Sequence, residues 1–146
     1  MATIKFVSSN ERHFVSLQER AEADPELAAA LENFPPGERN GATFIHHEGS
    51  SDEPQLFEAK FPANNKVEAH AHYADEIIVV TEGEIHFGKQ VYGVGSSVFI
   101  PKMTLYSFQA GPEGLTFLNF RPTKGVGVMF KDEFMATRRE ANHTSA

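Results

Sequence analysis

The chain contains no cysteine and no tryptophan. Without thiols it has no disulfide, no thiolate-bound metal and no cysteine nucleophile. Any metal would have to be held by histidine, carboxylate or phenolate groups. Basic residues are also scarce, with thirteen Lys+Arg against twenty Asp+Glu and a formal charge of −7. That balance argues against nucleic acid as a partner, because phosphate binding needs a basic face. No apolar run approaches the ~20 residues of a membrane span. Ile77 to Val80 is a run of only four. No membrane partner is expected. The start, Met1-Ala2-Thr3-Ile4-Lys5, lacks the apolar core of a signal peptide, so a cytoplasmic protein is expected.

What is present is a well-filled core. The 146 residues suit one domain, and an apolar content of 40% with thirteen phenylalanines is too rich for a disordered chain. Residues 1–40 read as a helical extension, a packing or dimer arm. Ser8-Ser9-Asn10-Glu11 has the form of a capping box, followed by Phe14, Leu17 and Ala21 near helical spacing. Asp24-Pro25 reads as an N-cap with proline at the first helical position. Leu27, Ala30, Leu31 and Phe34 then form one apolar stripe, which Pro35-Pro36-Gly37 ends.

From 41 to 130 the punctuation changes to short apolar runs separated by Gly, Pro and Asn. The expected strands are Thr43–His47, Gln55–Phe61, Val67–His72, Glu76–Thr81, Glu84–Phe87, Gln90–Tyr92, Ser97–Ile100, Thr104–Gln109, Leu115–Arg121 and Val126–Phe130. Many short strands with turns between them define an all-β sandwich or barrel. Residues 131–146 form a polar tail, expected to be a short helix that frays after Arg139.

The chemistry concentrates in His70-Ala71-His72-Tyr73-Ala74-Asp75-Glu76. The β-forming run Ile77-Ile78-Val79-Val80 that follows disfavours a helix here. On a strand, His70 and His72 point the same way. Glu76 has the same parity but joins them only if Tyr73-Ala74-Asp75 turns the chain back. Two imidazoles and one carboxylate on one face would suit a single divalent ion, Fe, Mn, Ni or Zn, with positions left open.

These residues resemble a known family. His70-x-His72-(x)3-Glu76-(x)6-Gly83 is similar to the second part of the first cupin motif, and Gly95-(x)5-Pro101 to the start of the second. The resemblance spans about residues 55 to 122. It implies a double-stranded β-helix, or jelly-roll, barrel with a metal in its mouth, bound by His70, His72 and Glu76. It also implies a homodimer. The pattern departs from the family at Asn64 and Met103, where glycine is usual, at Ala110, where asparagine is usual, and at Tyr106, where the family carries its fourth ligand, a histidine.

Tyr106 has three readings: a phenolate ligand, an acid/base or hydrogen-bond donor beside a three-ligand metal, or the mark of a lost metal site. The expected function is an enzyme acting on a small apolar or aromatic molecule. Dioxygenase-type chemistry is slightly favoured. Lyase, isomerase or polyketide-cyclase-type chemistry, a metal-free enzyme using Tyr106 and a histidine, and a metal-free binding module are the alternatives. Met103 and Phe108 flank Tyr106 and are candidates for substrate contact. Arg121 is a candidate partner for a substrate carboxylate, or else a surface charge. Val80, Ile78, Val98, Ile100, Phe108, Phe117 and Phe120 are expected to face inward. His86 is expected on the surface, Asp75 in a turn, His13 and His143 in solvent, and one of His46 and His47 toward the barrel. Glu68 shares parity with the two motif histidines.

Overall fold

The computed structural model describes residues 2–124 and 127–144, and side chains as far as residue 140. Val126 and the side chain of His143 lie outside the described residues. The fold is all-β with small helical parts. In chain order the elements are β1 (Val15–Ser16), α1 (Leu17–Ala23), α2 (Pro25–Leu31), α3 (Pro36–Arg39), β2 (Ala42–His47), β3 (Gln55–Phe61), β4 (Lys66–His72), β5 (Glu76–Phe87), β6 (Gln90–Tyr92), β7 (Ser97–Ile100), β8 (Tyr106–Arg121), β9 (Val128–Phe130) and α4 (Lys131–Thr144).

Two long strands organise the sheet. β8 runs unbroken for 16 residues and pairs antiparallel with β3, β4 and β5. β5 runs for 12 residues and pairs with β6, β7 and β8. Each replaces two strands expected from the sequence. The breaks foreseen at Glu82-Gly83 and Ala110–Gly114 are instead shifts of register within one continuous ladder. Gly83 makes this possible. It sits at φ +71°, and a Cβ there would collide with the Gly114 carbonyl across the ladder. β1, β2 and β3 continue the sheet on the other edge of β8.

The inward faces of these strands form the core: Ala59, Phe61, Val67, Ile78, Val80, Ile85, Ile100, Phe108, Ala110, Leu115 and Phe117 are buried in one cluster. Val98 packs against it. Phe120 does not follow the expectation. It is 39% exposed, because β8 alternates and its inward positions near the end are 117, 119 and 121. A second small cluster joins Ala71, Met129 and Phe134, with Met103 and Leu105 against it. Phe134 docks α4 on β4 and β9, and the helix extends to Thr144 rather than fraying after Arg139.

The N-terminal segment is less helical than its periodicity suggests. The Ser8–Glu11 capping box is present but caps a single 3-10 turn, Ser9–Glu11. The chain is then extended to Ser16, which caps α1, and Asp24 caps α2 over Pro25 as expected. Arg12 anchors this segment by a paired contact to the buried carboxylate of Glu58, at 2.9–3.1 Å, which His46 also meets at 2.9 Å. α3 is a single turn set against β4. Gly37 is required there, because a Cβ would overlap the Lys66 carbonyl oxygen. That close approach brings the next residue, Glu38, to the barrel interior.

Ile78 is 1% exposed at the centre of the main cluster. Ile78→Ala is expected to cost about 2–5 kcal/mol of folding free energy, lost contacts and cavity together. Urea unfolding followed by circular dichroism checks this.

Candidate active site

At one end of the barrel a cavity of about 90 Å³ is bounded by polar and apolar walls. Its apolar side includes Leu17, Phe57, Phe61, Phe108 and Phe117. Its polar side is Glu38, His70, His72, Tyr106, Asn119 and Arg121. β4 supplies the histidines at alternate positions. The turn Tyr73–Asp75, where Asp75 Oδ1 accepts from Lys102 N at 2.8 Å, brings Glu76 back beside them. β8 supplies Tyr106 and Phe108 near its start and Phe117, Asn119 and Arg121 near its end.

Both positions where family glycines are replaced keep the left-handed backbone. Asn64 has φ 61° and Met103 φ 57°. A side chain at Met103 is strained in that region, and Met103 N donates to His72 O at 2.8 Å, tying the turn to the site strand. The Met103 side chain itself packs in the second apolar cluster and does not line the cavity. Phe108 and Arg121 do line it.

Glu76 lies buried behind the polar wall, 1% exposed, and is held by its residues. Its Oε1 accepts from Asn119 Nδ2 at 3.1 Å, Arg121 Nε at 3.1 Å and Arg121 Nη2 at 2.9 Å. Its Oε2 accepts from the Tyr106 hydroxyl at 2.9 Å. Burial alone would raise its pKa. The Arg121 charge, His72 when protonated, and the hydrogen bonds from Asn119 and Arg121 outweigh burial and hold it below the ordinary carboxylate range. The same burial and the neighbouring carboxylate push the Tyr106 phenol well above 10, so it stays protonated.

His72 lies 3.7 Å from Glu76 Oε1 through Nε2 and 3.4 Å from Arg121 Nη2 through Nδ1. Burial, with Arg121 and His70 adding to it against the pull of Glu76, lowers its pKa to about 4, and the ring is neutral at pH 7. His70 is 2% exposed, and its Nδ1 donates to the Glu68 carbonyl at 2.8 Å. In the neutral ring that bond places the proton on Nδ1 and leaves Nε2 as the acceptor. The His70 ring lies 4.5 Å from the Tyr106 ring and 4.9 Å from that of His72.

The three motif residues therefore converge, but their donor set does not fit a metal in this arrangement. Oε1 of Glu76 already receives three N–H donors, and a guanidinium lies against both that oxygen and His72. Among the described residues no group of three His, Asp or Glu side chains is placed to hold a metal ion.

Two polar residues of the cavity wall, Asn119 and Glu38, carry no motif in the sequence. Arg121, a candidate partner for a substrate carboxylate or else a surface charge, has a side chain only 13% exposed. The alternation Phe117-x-Asn119-x-Arg121 was the available signal. Glu38 had none, since a helical segment distant in sequence carries it. Among the described residues the remaining histidines, His13, His46, His47 and His86, lie outside the cavity. His46 pairs with Glu58, His86 pairs with Glu84 at 2.9 Å, and His13 is exposed. Glu68 turns toward α3, where its Oε1 accepts from Gly37 N at 3.1 Å.

No protein-family model and no curated protein matches the sequence. Solved structures match in fold. The chain superposes on the polyketide cyclase RemF from Streptomyces resistomycificus with a TM-score of 0.63 at 19% identity, over 93% of this chain and 94% of that one. It matches an RmlC-like cupin from Ralstonia eutropha with a TM-score of 0.61 at 13% identity, over 98% and 88%. It matches KdgF from Halomonas sp. with a TM-score of 0.57 at 17% identity, over 82% and 94%. The chain has the cupin fold, as the two sequence motifs implied. Among the described residues no helix is long and apolar enough to cross a membrane.

Glu38 provides a test of the cavity environment. Burial raises its pKa above the ordinary 4.5, with Glu68 and Glu76 adding to the effect and His70 and Arg121 opposing it. Such a group holds its proton more tightly when folded. Its contribution to stability is full below the unfolded pKa and is lost as pH rises through the folded one. Glu38→Gln should therefore gain stability relative to wild type as pH rises from about 4 to about 8. Thermal melts across that range check the trend, and a constant offset would contradict it.

Proposed function

We propose that this chain is an enzyme that moves a proton on a small, apolar or aromatic carbonyl compound bound in the barrel cavity. The observation that carries the reading is the cavity itself, in which aromatic walls end at the His70 imidazole and the Arg121 guanidinium. Its volume is far below the roughly 300 Å³ of a drug-sized pocket. It takes a small molecule, or the reacting end of a longer one.

Each residue has a role in this reading. His70 Nε2 takes a proton from a carbon next to the carbonyl, and the imidazolium later returns it, to the same carbon or another. The backbone carbonyl of Glu68 orients that ring. The enolate oxygen formed in between is stabilised by the Arg121 guanidinium. Arg121 uses Nε and Nη2 on Glu76, and Nη1 has no partner among the described residues. Asn119 Oδ1 is buried without a hydrogen-bond partner among the described residues, and a substrate hydroxyl would satisfy it.

This is the chemistry of isomerases, lyases and cyclases. The likeness in fold to a polyketide cyclase over nearly the whole chain is in keeping with it. Dioxygenase-type chemistry would need an open metal, and the carboxylate required for one is engaged by Arg121.

The test is hydrogen–deuterium exchange at the carbon next to the carbonyl in small aryl ketones and aryl keto acids. It is followed by NMR in D₂O with a chelator present. The wild type is expected to catalyse exchange, and His70→Gln to lose about 10²-fold or more of the rate. Binding of these compounds without exchange would overturn the enzyme reading in favour of a binding module.

We also propose that the chain pairs as a homodimer. Leu56, Phe120, Ile77 and Phe99 stand in register across β3, β8, β5 and β7, and the last three are 39–59% exposed. Such a row is the kind of apolar patch a partner copy covers. Light scattering should give a mass near twice 16.2 kDa. A monomer would refute the pairing.

A further inference from the structure

We propose that Arg121 is the resident cation of this site, standing where the motif residues would otherwise hold a divalent ion, and that it keeps the His70–His72–Glu76 set free of metal. The inference rests on the site reading above but not on the reaction assigned to it.

Three observations carry it. The first is position. β8 alternates so that Phe117, Asn119 and Arg121 face the cavity, and the register pairs Asn119 with Ile78 and Phe120 with Ile77. Arg121 therefore arrives beside Glu76 by strand geometry and not by a flexible reach.

The second is saturation. Arg121 approaches Glu76 Oε1 through two nitrogens, at 3.1 and 2.9 Å, while Nη2 also lies 3.4 Å from His72 Nδ1. An ion shared by His72 and Glu76 would have to enter beside that guanidinium. It would meet a like charge in a site with little water to screen it.

The third is anchoring. The guanidinium carbon sits 5.2 Å from the Phe57 ring centroid. Glu76 is held by Asn119 and Tyr106 as well as by Arg121. One carboxylate and one guanidinium leave the pair neutral, which a buried site favours. Arginine keeps its charge at any working pH, so this cation does not depend on metal supply.

The test is metal titration of the full chain, purified without a histidine tag, by calorimetry with MnCl₂, NiCl₂ and ZnCl₂ in turn. Wild type is expected to bind none of them at the site. Arg121→Ala and Arg121→Gln are expected to bind about one ion per chain at least ~10-fold more tightly than wild type. Adding His70→Ala to either should abolish that gain. Arg121→Gln retains an amide donor for Glu76 and serves if the alanine variant does not fold.

A wild type that binds one ion per chain as tightly as the Arg121 variants would overturn the proposal. So would folded Arg121 variants that gain no affinity. A wild type that stays free of metal but exchanges no substrate proton supports this proposal and overturns only the reaction proposed above.

Discussion

The site is organised by one buried ion pair, Glu76 with Arg121. A carboxylate at 1% exposure cannot remain ionised without partners, and a buried pair broken on one side costs several kcal/mol. Its neighbours are placed accordingly. Asn119 and Tyr106 take the remaining lone pairs of Glu76. His72, facing the pair from both ring nitrogens, is neutral because burial and Arg121 outweigh the carboxylate. Burial, and then the same carboxylate, push the Tyr106 phenol up. Burial and the contact between the start of β5 and the end of β8 together set the charges on Glu76, His72 and Tyr106.

The N-terminal extension completes this arrangement. Gly37 allows α3 to lie against β4, and Glu38 follows it into the cavity wall. Two carboxyl groups then share one cavity with opposite shifts. Glu76 is held low by hydrogen bonds and charge, and Glu38 is raised by burial.

Most strands were legible in the sequence because a strand with one buried face alternates, and the turn residues mark its ends. Gln55–Phe61, Gln90–Tyr92 and Ser97–Ile100 needed no correction. The joins within β5 and β8 were not legible. Glycine and proline signal a turn locally, while a bulge in a ladder depends on the partner strand. The helical period before Leu17 failed for a related reason. Phe14 and its neighbours are held extended by the Arg12–Glu58 contact and by pairing of β1 with β2, which outweigh local propensity. Met103 shows the reverse: tertiary bonds hold a non-glycine residue at φ 57°, against its intrinsic preference.

The amino-acid sequence determined the all-β jelly-roll class, the pairing of His70 with His72 on one face, and the place of Tyr106 beside them. These depend on residue type, a period of two and short-range spacing. Only the tertiary structure decided what stands between those residues. Arg121 is 45 residues from Glu76, and Glu38 lies on α3, ahead of every strand that carries another residue of the polar wall. Which charge faces a buried carboxylate is settled by register between distant strands, where a shift of one residue would turn Arg121 outward and Phe120 in. The absence of cysteine restricts the site to nitrogen and oxygen donors, and the fold then sets a guanidinium among them.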